Sequence, residues 1–322
     1  MSAGQLLTVP NMRKQIVVTL ALAISFSETN SAPLQLERGT SIVIALTDQG
    51  VVFGADLLRE VSSTSDPGNH RLVPIPSAPK FRMCGTNIVC GIAGVAHVEF
   101  GAPAPNSEAG KCGHFMFDFD NWITHIAQEA TEQLSPSIVA TNIWKDVRLR
   151  FAPLNCYVRL PEGQFLKDGD GPFMFLIAGY PKDGQVPEFY AVKIQLDANK
   201  ESLLFLPPEA QFTAGSGLLP SIFFAGHYAH MTAAESGQDP EASSFASFLA
   251  QRRPQARIAA RESSATLQEV VAQVASYLDV ESEFDEKVGG GSSIMILQKG
   301  KLPILLTMPT LVSPKQRYRS GL

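Results

Sequence analysis

Two short apolar runs flanking Asp48-Gln49-Gly50 constrain this chain most. Thr40 to Leu46 is β-branched and apolar, Val51 to Ala55 is a second apolar run, and the three residues between them carry turn chemistry. That pattern predicts a β-hairpin. Lys80 to Met83 and Ile88 to Ile92 read as two more short strands around the Gly85-Thr86-Asn87 turn. Ser62 to Pro79, punctuated by Pro, Gly and Ser, is expected to be an exposed loop. Four strands are therefore expected first.

From Phe117 the period changes. Trp122, Ile123, Ile126, Ala127 and Ala130 fall on one helical stripe, and Ser135-Pro136 ends that helix and opens another reaching about Phe151. Asp118 and Asp120 belong at the helix start, where a carboxylate favours the N-terminal dipole. A second strand group covers Phe173 to Leu196, broken by Pro181-Lys182-Asp183-Gly184, with a further strand over Leu203 to Phe212. Leu218 to Ala229 and Thr266 to Leu278 have helical periodicity, and Ser292 to Leu297 is expected as the final strand. Asp239 to Pro254 reads as irregular, and Met308 to Leu322 as a tail. Strands, helices, strands, helices, strand is the order of an α+β chain with two sheets packed between helical layers, a four-layer αββα sandwich.

The 322 residues are 45% hydrophobic and 18% charged, enough to bury a large core. A formal charge of -5 and no cluster of Lys and Arg interleaved with aromatics argue against nucleic acid as a partner. No apolar run reaches the roughly 18 to 20 residues that span a bilayer, so no transmembrane anchor is expected. Ile16 to Phe26, after Arg13 and Lys14 and before Ser31 and Ala32, has the parts of a secretory signal, which favours an extracytoplasmic location. The competing reading makes residues 1–39 a prosegment that packs on the domain until removed. Cys84, Cys90, Cys112 and Cys156 permit three pairings if oxidised and show no metal-ligand spacing. His227 and His230, three apart on an expected helix, lack a third ligand at recognisable spacing; no metal and no cofactor is expected.

Gly39-Thr40-Ser41-Ile42-Val43 followed by Gly50-Val51-Val52-Phe53-Gly54-Ala55-Asp56 resembles the opening hairpin of proteasome β subunits, which are N-terminal-nucleophile (Ntn) threonine hydrolases. Lys80, fourteen residues before Gly94 in Gly91-Ile92-Ala93-Gly94-Val95-Ala96, resembles that family's lysine and the Gly-rich end of its fourth strand. Gly215-Ser216-Gly217 resembles its Gly-Ser-Gly before the third helix, and Asp285 before Gly289-Gly290-Gly291 its Asp-x-x-Ser-Gly-Gly. Val288 departs from the pattern, standing where the family has serine. The resemblance implies residues 1–39 as signal peptide, propeptide or both, an Ntn-hydrolase domain over 40–300, and a C-terminal extension over 301–322. It also implies autocleavage between Gly39 and Thr40, a site of Thr40, Asp56, Lys80, Gly94, Ser216 and Asp285, and a homo-oligomeric ring acting on peptides or unfolded protein.

The chemistry is coherent apart from the family. A threonine hydroxyl is a weak nucleophile that needs an adjacent base, and a chain beginning at threonine carries one in its own α-amine. That amine titrates near pH 8 unperturbed, so the bond before Thr40 must be cut first. An ammonium such as Lys80 favours loss of protons from Thr40, and Asp56 holds Lys80 charged and in place. On this reading Lys80→Ala removes turnover and leaves the fold intact. The Gly94 N–H is assigned by resemblance to the oxyanion. Ile92 is assigned to the floor of the pocket for the side chain before the cleaved bond, Ala96 to the next pocket position, and Arg82 to its rim. Ser216 is not a nucleophile elbow, since residue 218 is Leu rather than Gly. Two other readings stand beside the peptidase: a non-catalytic ring subunit, and an Ntn amidase or acylase acting on small amides.

Overall fold

The computed structural model describes residues 34–37, 41–63, 66–74, 80–100, 109–129, 135–163, 166, 173–213, 221–226, 266–284 and 289–308. Contacts divide the chain into Met1–Ala32 and Pro33–Leu322, and every described residue lies in the second unit.

The hairpin at Asp48-Gln49-Gly50 is formed by β2 (Ser41–Leu46) and β3 (Val51–Asp56), with Leu46 opposite Val51. Thr47 closes it: its Oγ1 accepts from the Gly50 N–H and donates to the Gly50 carbonyl. The hairpin is the centre of a five-stranded antiparallel sheet in the order β14 (Ser221–Gly226), β2, β3, β15 (Ser292–Leu297), β16 (Ile304–Met308). A second antiparallel sheet runs β12 (Leu203–Phe205), β11 (Glu188–Leu196), β10 (Phe173–Gly179), β7 (Ile88–Gly94), β6 (Phe81–Gly85), with β13 (Glu209–Thr213) also on β11. Smaller sheets join β1 (Leu34–Glu37), β4 (Leu58–Ser63) and β5 (Asp66–Pro74), and β8 (His97–Phe100) with β9 (Phe115–Asp118).

Strand alternation sorts the apolar side chains into three cores. Ile42, Ile44, Phe53 and Met295 of the first sheet share a core with Phe81, Val89, Leu176 and Phe189 of the second. Val43, Ala45, Val52 and Ile294 point the other way, onto Val270, Val274 and Leu278 of α4 (Leu267–Phe284). Burial on both faces explains why β2 and β3 read as continuous apolar runs rather than as alternating ones. On the far face of the second sheet, Ile92, Phe175 and Ile194 meet Trp122 and Ile126 of α1 (Phe119–Glu129), Ile143 and Val147 of α2 (Pro136–Arg150), and Tyr157 of α3 (Leu154–Val158). Ser135 is the N-cap of α2, its hydroxyl accepting from the Ile138 N–H, with Pro136 in the first turn. Asp118 Oδ1 accepts from Asn121 N at 2.8 Å at the start of α1, in the place expected of it.

Four expectations change. Ser62 to Pro79 is not a plain loop, since β4 and β5 pair across it and join β1. Pro67 and Pro74 fall near the two ends of β5, an edge strand, where a missing N–H is tolerated. Within Leu218 to Ala229 the chain is strand, not helix, over Ser221–Gly226; a short apolar run fits either state, and here pairing with β2 decides. Leu203 to Phe212 is split by Pro207-Pro208 into β12 and β13, both on β11. Ser292–Leu297 is not the final strand, because the Gly300 turn, with φ of 69°, returns the chain as β16 against β15. No helix among the described residues is long and apolar enough to cross a membrane. The residues expected to be irregular over Asp239 to Pro254 lie outside those described, as do His227 and His230.

Candidate active site

The first sheet ends in a buried polar hub. Asp56 closes β3 with its side chain 1% exposed, and Oδ1 accepts from Lys80 Nζ at 2.6 Å and from the Ser41 backbone N–H at 2.8 Å. Its Oδ2 accepts from the Gly289 N–H at 3.4 Å. One carboxylate thus joins the starts of β2 and β6 to the segment leading into β15. Lys80, directly before β6, is 2% exposed. Two opposite charges removed from water are tolerated only where each is paired and hydrogen-bonded. Burial pushes the Asp56 carboxyl up from the ordinary carboxylate range, against the Lys80 ammonium and the two backbone N–H groups, which pull it down.

The glycine run beside the hub has a backbone reason. Gly289, Gly290 and Gly291 have φ of 142°, 70° and 99°, a region that side chains disfavour. In that conformation the Gly289 carbonyl accepts from Leu57 N (3.0 Å) and Leu58 N (2.8 Å), while its own N–H faces Asp56. Gly94, at the end of β7, also has positive φ, 109°.

The expected site residues fall into three groups. Asp56 and Lys80 are brought together, and the Ser41 N–H on Asp56 belongs to the residue that follows Thr40. Gly39, Thr40, Ser216, Asp285 and Val288 lie outside the described residues. Ile92 is 1% exposed, within the core beneath α1 and α2, and its N–H donates to the Lys80 carbonyl at 3.0 Å. Ala96 packs half-buried against the same core, and its carbonyl accepts from the Phe119 N–H. Arg82 is engaged: Nη2 lies 2.9 Å from Asp120 Oδ1 at the start of α1. Sequence reasoning missed that pairing, because nothing local signals that β6 and α1 meet. It also missed Ser41 and Gly289 as donors to Asp56, since a backbone N–H leaves no trace in residue type. Among the described residues no three His, Cys, Asp or Glu side chains gather as metal ligands.

No protein-family model matches this chain, and no curated protein matches it significantly.

Proposed function

We propose that this chain is an N-terminal-nucleophile threonine hydrolase of the proteasome β-subunit kind, with the αββα arrangement, that hydrolyses peptide bonds from Thr40. The observation that carries the proposal is the buried Lys80–Asp56 pair, whose Asp56 also holds the Ser41 N–H. It fixes a cation and a carboxylate at the strand end next to Thr40. The three apolar cores, helix on sheet, sheet on sheet and sheet on helix, support the αββα arrangement.

The reaction follows from these parts. Cleavage of the Gly39–Thr40 bond frees the α-amine. The amine takes the Thr40 hydroxyl proton as Oγ attacks the substrate carbonyl, then passes that proton to the leaving amine, and an ester remains on Thr40. Water, deprotonated by the same amine, hydrolyses the ester. Lys80, held charged by Asp56, favours the deprotonated forms electrostatically. The Gly94 N–H is assigned to the oxyanion, an interaction whose loss costs about 10² to 10³ in rate elsewhere. Ile92 and Ala96 are assigned by resemblance to the pocket for the side chain before the cleaved bond, and their apolar character leads to a preference for medium apolar side chains there. Asp120 on Arg82 offsets the charge that would otherwise admit acidic side chains. Ser216 and Asp285 complete the site by resemblance. A homo-oligomeric ring is proposed on that resemblance alone, which is an associational warrant. A signal ending near Ala32 and a short propeptide through Gly39 are compatible; cleavage at Gly39 then cuts β1 from the chain that it pairs with.

The test is intact mass with N-terminal sequencing of wild type and Thr40→Ala, together with a fluorogenic peptide panel. Wild type is expected to begin at Thr40, leaving 322 - 39 = 283 residues, and to turn over peptides with Leu, Val or Met before the bond. Thr40→Ala is expected to stay uncut there and inactive. Processing of Thr40→Ala at the same bond would reject self-cleavage. Val288, in place of the family's serine, favours a second reading, a non-catalytic ring subunit. An uncut, inactive wild type in ring-sized assemblies would select it.

A further inference from the structure

The strand that Lys80 introduces is weakly held by its hydrogen bonds alone. β6 has five residues and lies at the edge of its sheet, with β7 as its partner there. Its register with β7 runs Phe81↔Gly91, Arg82↔Cys90 and Met83↔Val89, then slips between Met83 and Gly85, so that Cys84 is the extra residue of a bulge. A bulge interrupts the ladder where it occurs. At that interruption Cys84 is bonded to Cys90 of β7, with Cα atoms 5.8 Å apart, a span a cystine accommodates. Both half-cystines are buried, at 0% and 1% exposure. Four residues before Cys84 is Lys80; four after Cys90 is Gly94. The Lys80 carbonyl is itself tied to β7 by the Ile92 N–H.

We propose that the Cys84–Cys90 cystine is a positioning element for the reaction, clamping the edge strand that sets Lys80 onto the strand that ends in Gly94, so that turnover requires the oxidised protein. This rests on the function proposed above. The second cystine, Cys112–Cys156, lies outside the β6–β7 pair and serves as the control, since it staples the segment before β9 to α3. A site that depends on a buried cystine matures in an oxidising compartment, the location to which Ile16 to Phe26 independently points. Reduction by a dithiol converts the cystine to two thiols and oxidises the dithiol to its disulfide.

The full chain is produced through an oxidising compartment as wild type, Cys84→Ala/Cys90→Ala and Cys112→Ala/Cys156→Ala. Thiols are counted after denaturation, amide exchange is followed at Ile92, and kcat and KM are measured on one peptide well below each variant's melting temperature. Wild type is expected to show no reactive thiol. Cys84→Ala/Cys90→Ala is expected to exchange Ile92 about tenfold faster or more, and to lose kcat by a similar factor with KM nearly unchanged. Cys112→Ala/Cys156→Ala is expected to melt earlier with Ile92 exchange and kcat preserved. Unchanged Ile92 exchange and kcat in the first variant, or reactive thiols at Cys84 and Cys90 in fully active wild type, would overturn the clamp. If the first variant does not fold, stepwise dithiol reduction of wild type decides: loss of kcat must track thiols at Cys84 and Cys90, and tracking Cys112 and Cys156 instead rejects the clamp. If wild type is neither cut at Thr40 nor active, the function falls while Ile92 exchange still judges the clamp.

Discussion

The Lys80 ammonium lies 2.6 Å from Asp56 Oδ1, with the two side chains 3% and 1% exposed. Removing one partner of such a pair strands the other charge out of water, which costs about 3–5 kcal/mol. Lys80→Met is therefore expected to lose stability on that scale as well as turnover, and the same measurement tests the sequence-based expectation of an intact fold in Lys80→Ala. The double variant Lys80→Met/Asp56→Asn is expected to recover part of the loss. Urea unfolding of wild type, Lys80→Met, Asp56→Asn and the double variant measures this, and a Lys80→Met loss within about 1 kcal/mol would disprove the burial argument.

The hub also sets a pH dependence. Burial, the largest influence on Asp56, raises its carboxyl above the unfolded value of about 3.9. The native state therefore takes up this proton before the unfolded chain does as pH falls. The contribution to stability is fully present below about pH 3.9 and is lost as pH rises through the folded value. Relative to Lys80→Met/Asp56→Asn, wild type is expected to gain stability as pH is lowered through that window. Urea unfolding of both proteins across that window is the check, and a wild type that gains nothing relative to the double variant as pH falls would contradict the shift.

The glycines of 289–291 differ from ordinary loop glycines. Gly290→Ala or Gly291→Ala puts a Cβ on backbone with φ of 70° or 99°, at a cost of about 1–3 kcal/mol. Because the same turn directs the Gly289 N–H at Asp56, turnover is expected to fall along with melting temperature. Calorimetry and peptide assays on both variants are the check; wild-type behaviour in both would reject the role.

Gly54 tests the other side of the sheet. A Cβ there would meet Val274 Cγ1 at 2.5 Å and Leu278 Cδ1 at 3.0 Å, so Gly54→Ala must push α4 outward. Overpacking of this kind costs about 1–3 kcal/mol, and chemical denaturation should show it. Gly54→Ala at wild-type stability would mean that α4 does not pack there.

How much of this was legible in the sequence varies with the range of the interaction. The β2–β3 hairpin, the α1 and α2 starts and the α4 stripe are written in local turn, cap and period signals, and the structure has them there. Lys80 and Asp56 were paired only through resemblance, since 24 residues separate them and neither neighbourhood names the other. Leu218 to Ala229 carries its apolar residues at helical spacing, yet pairing with β2 from far along the chain makes Ser221–Gly226 the strand β14. The partner of Arg82 was invisible for the same reason. Backbone donors at Ser41 and Gly289 carry no residue signature at all.

The chain's two tryptophans share one layer. Trp122 of α1 lies among Phe117, Phe119 and Phe175, with Nε1 donating to Asp146, while Trp144 of α2 donates to the Phe205 carbonyl beneath the Arg148 guanidinium. Intrinsic fluorescence is thus a reporter of the helices over the second sheet. It will time the loosening of that layer during unfolding, whereas a proton moving at Asp56 will leave the emission dark to it. Spectroscopy of the site itself will need a probe introduced on the first sheet.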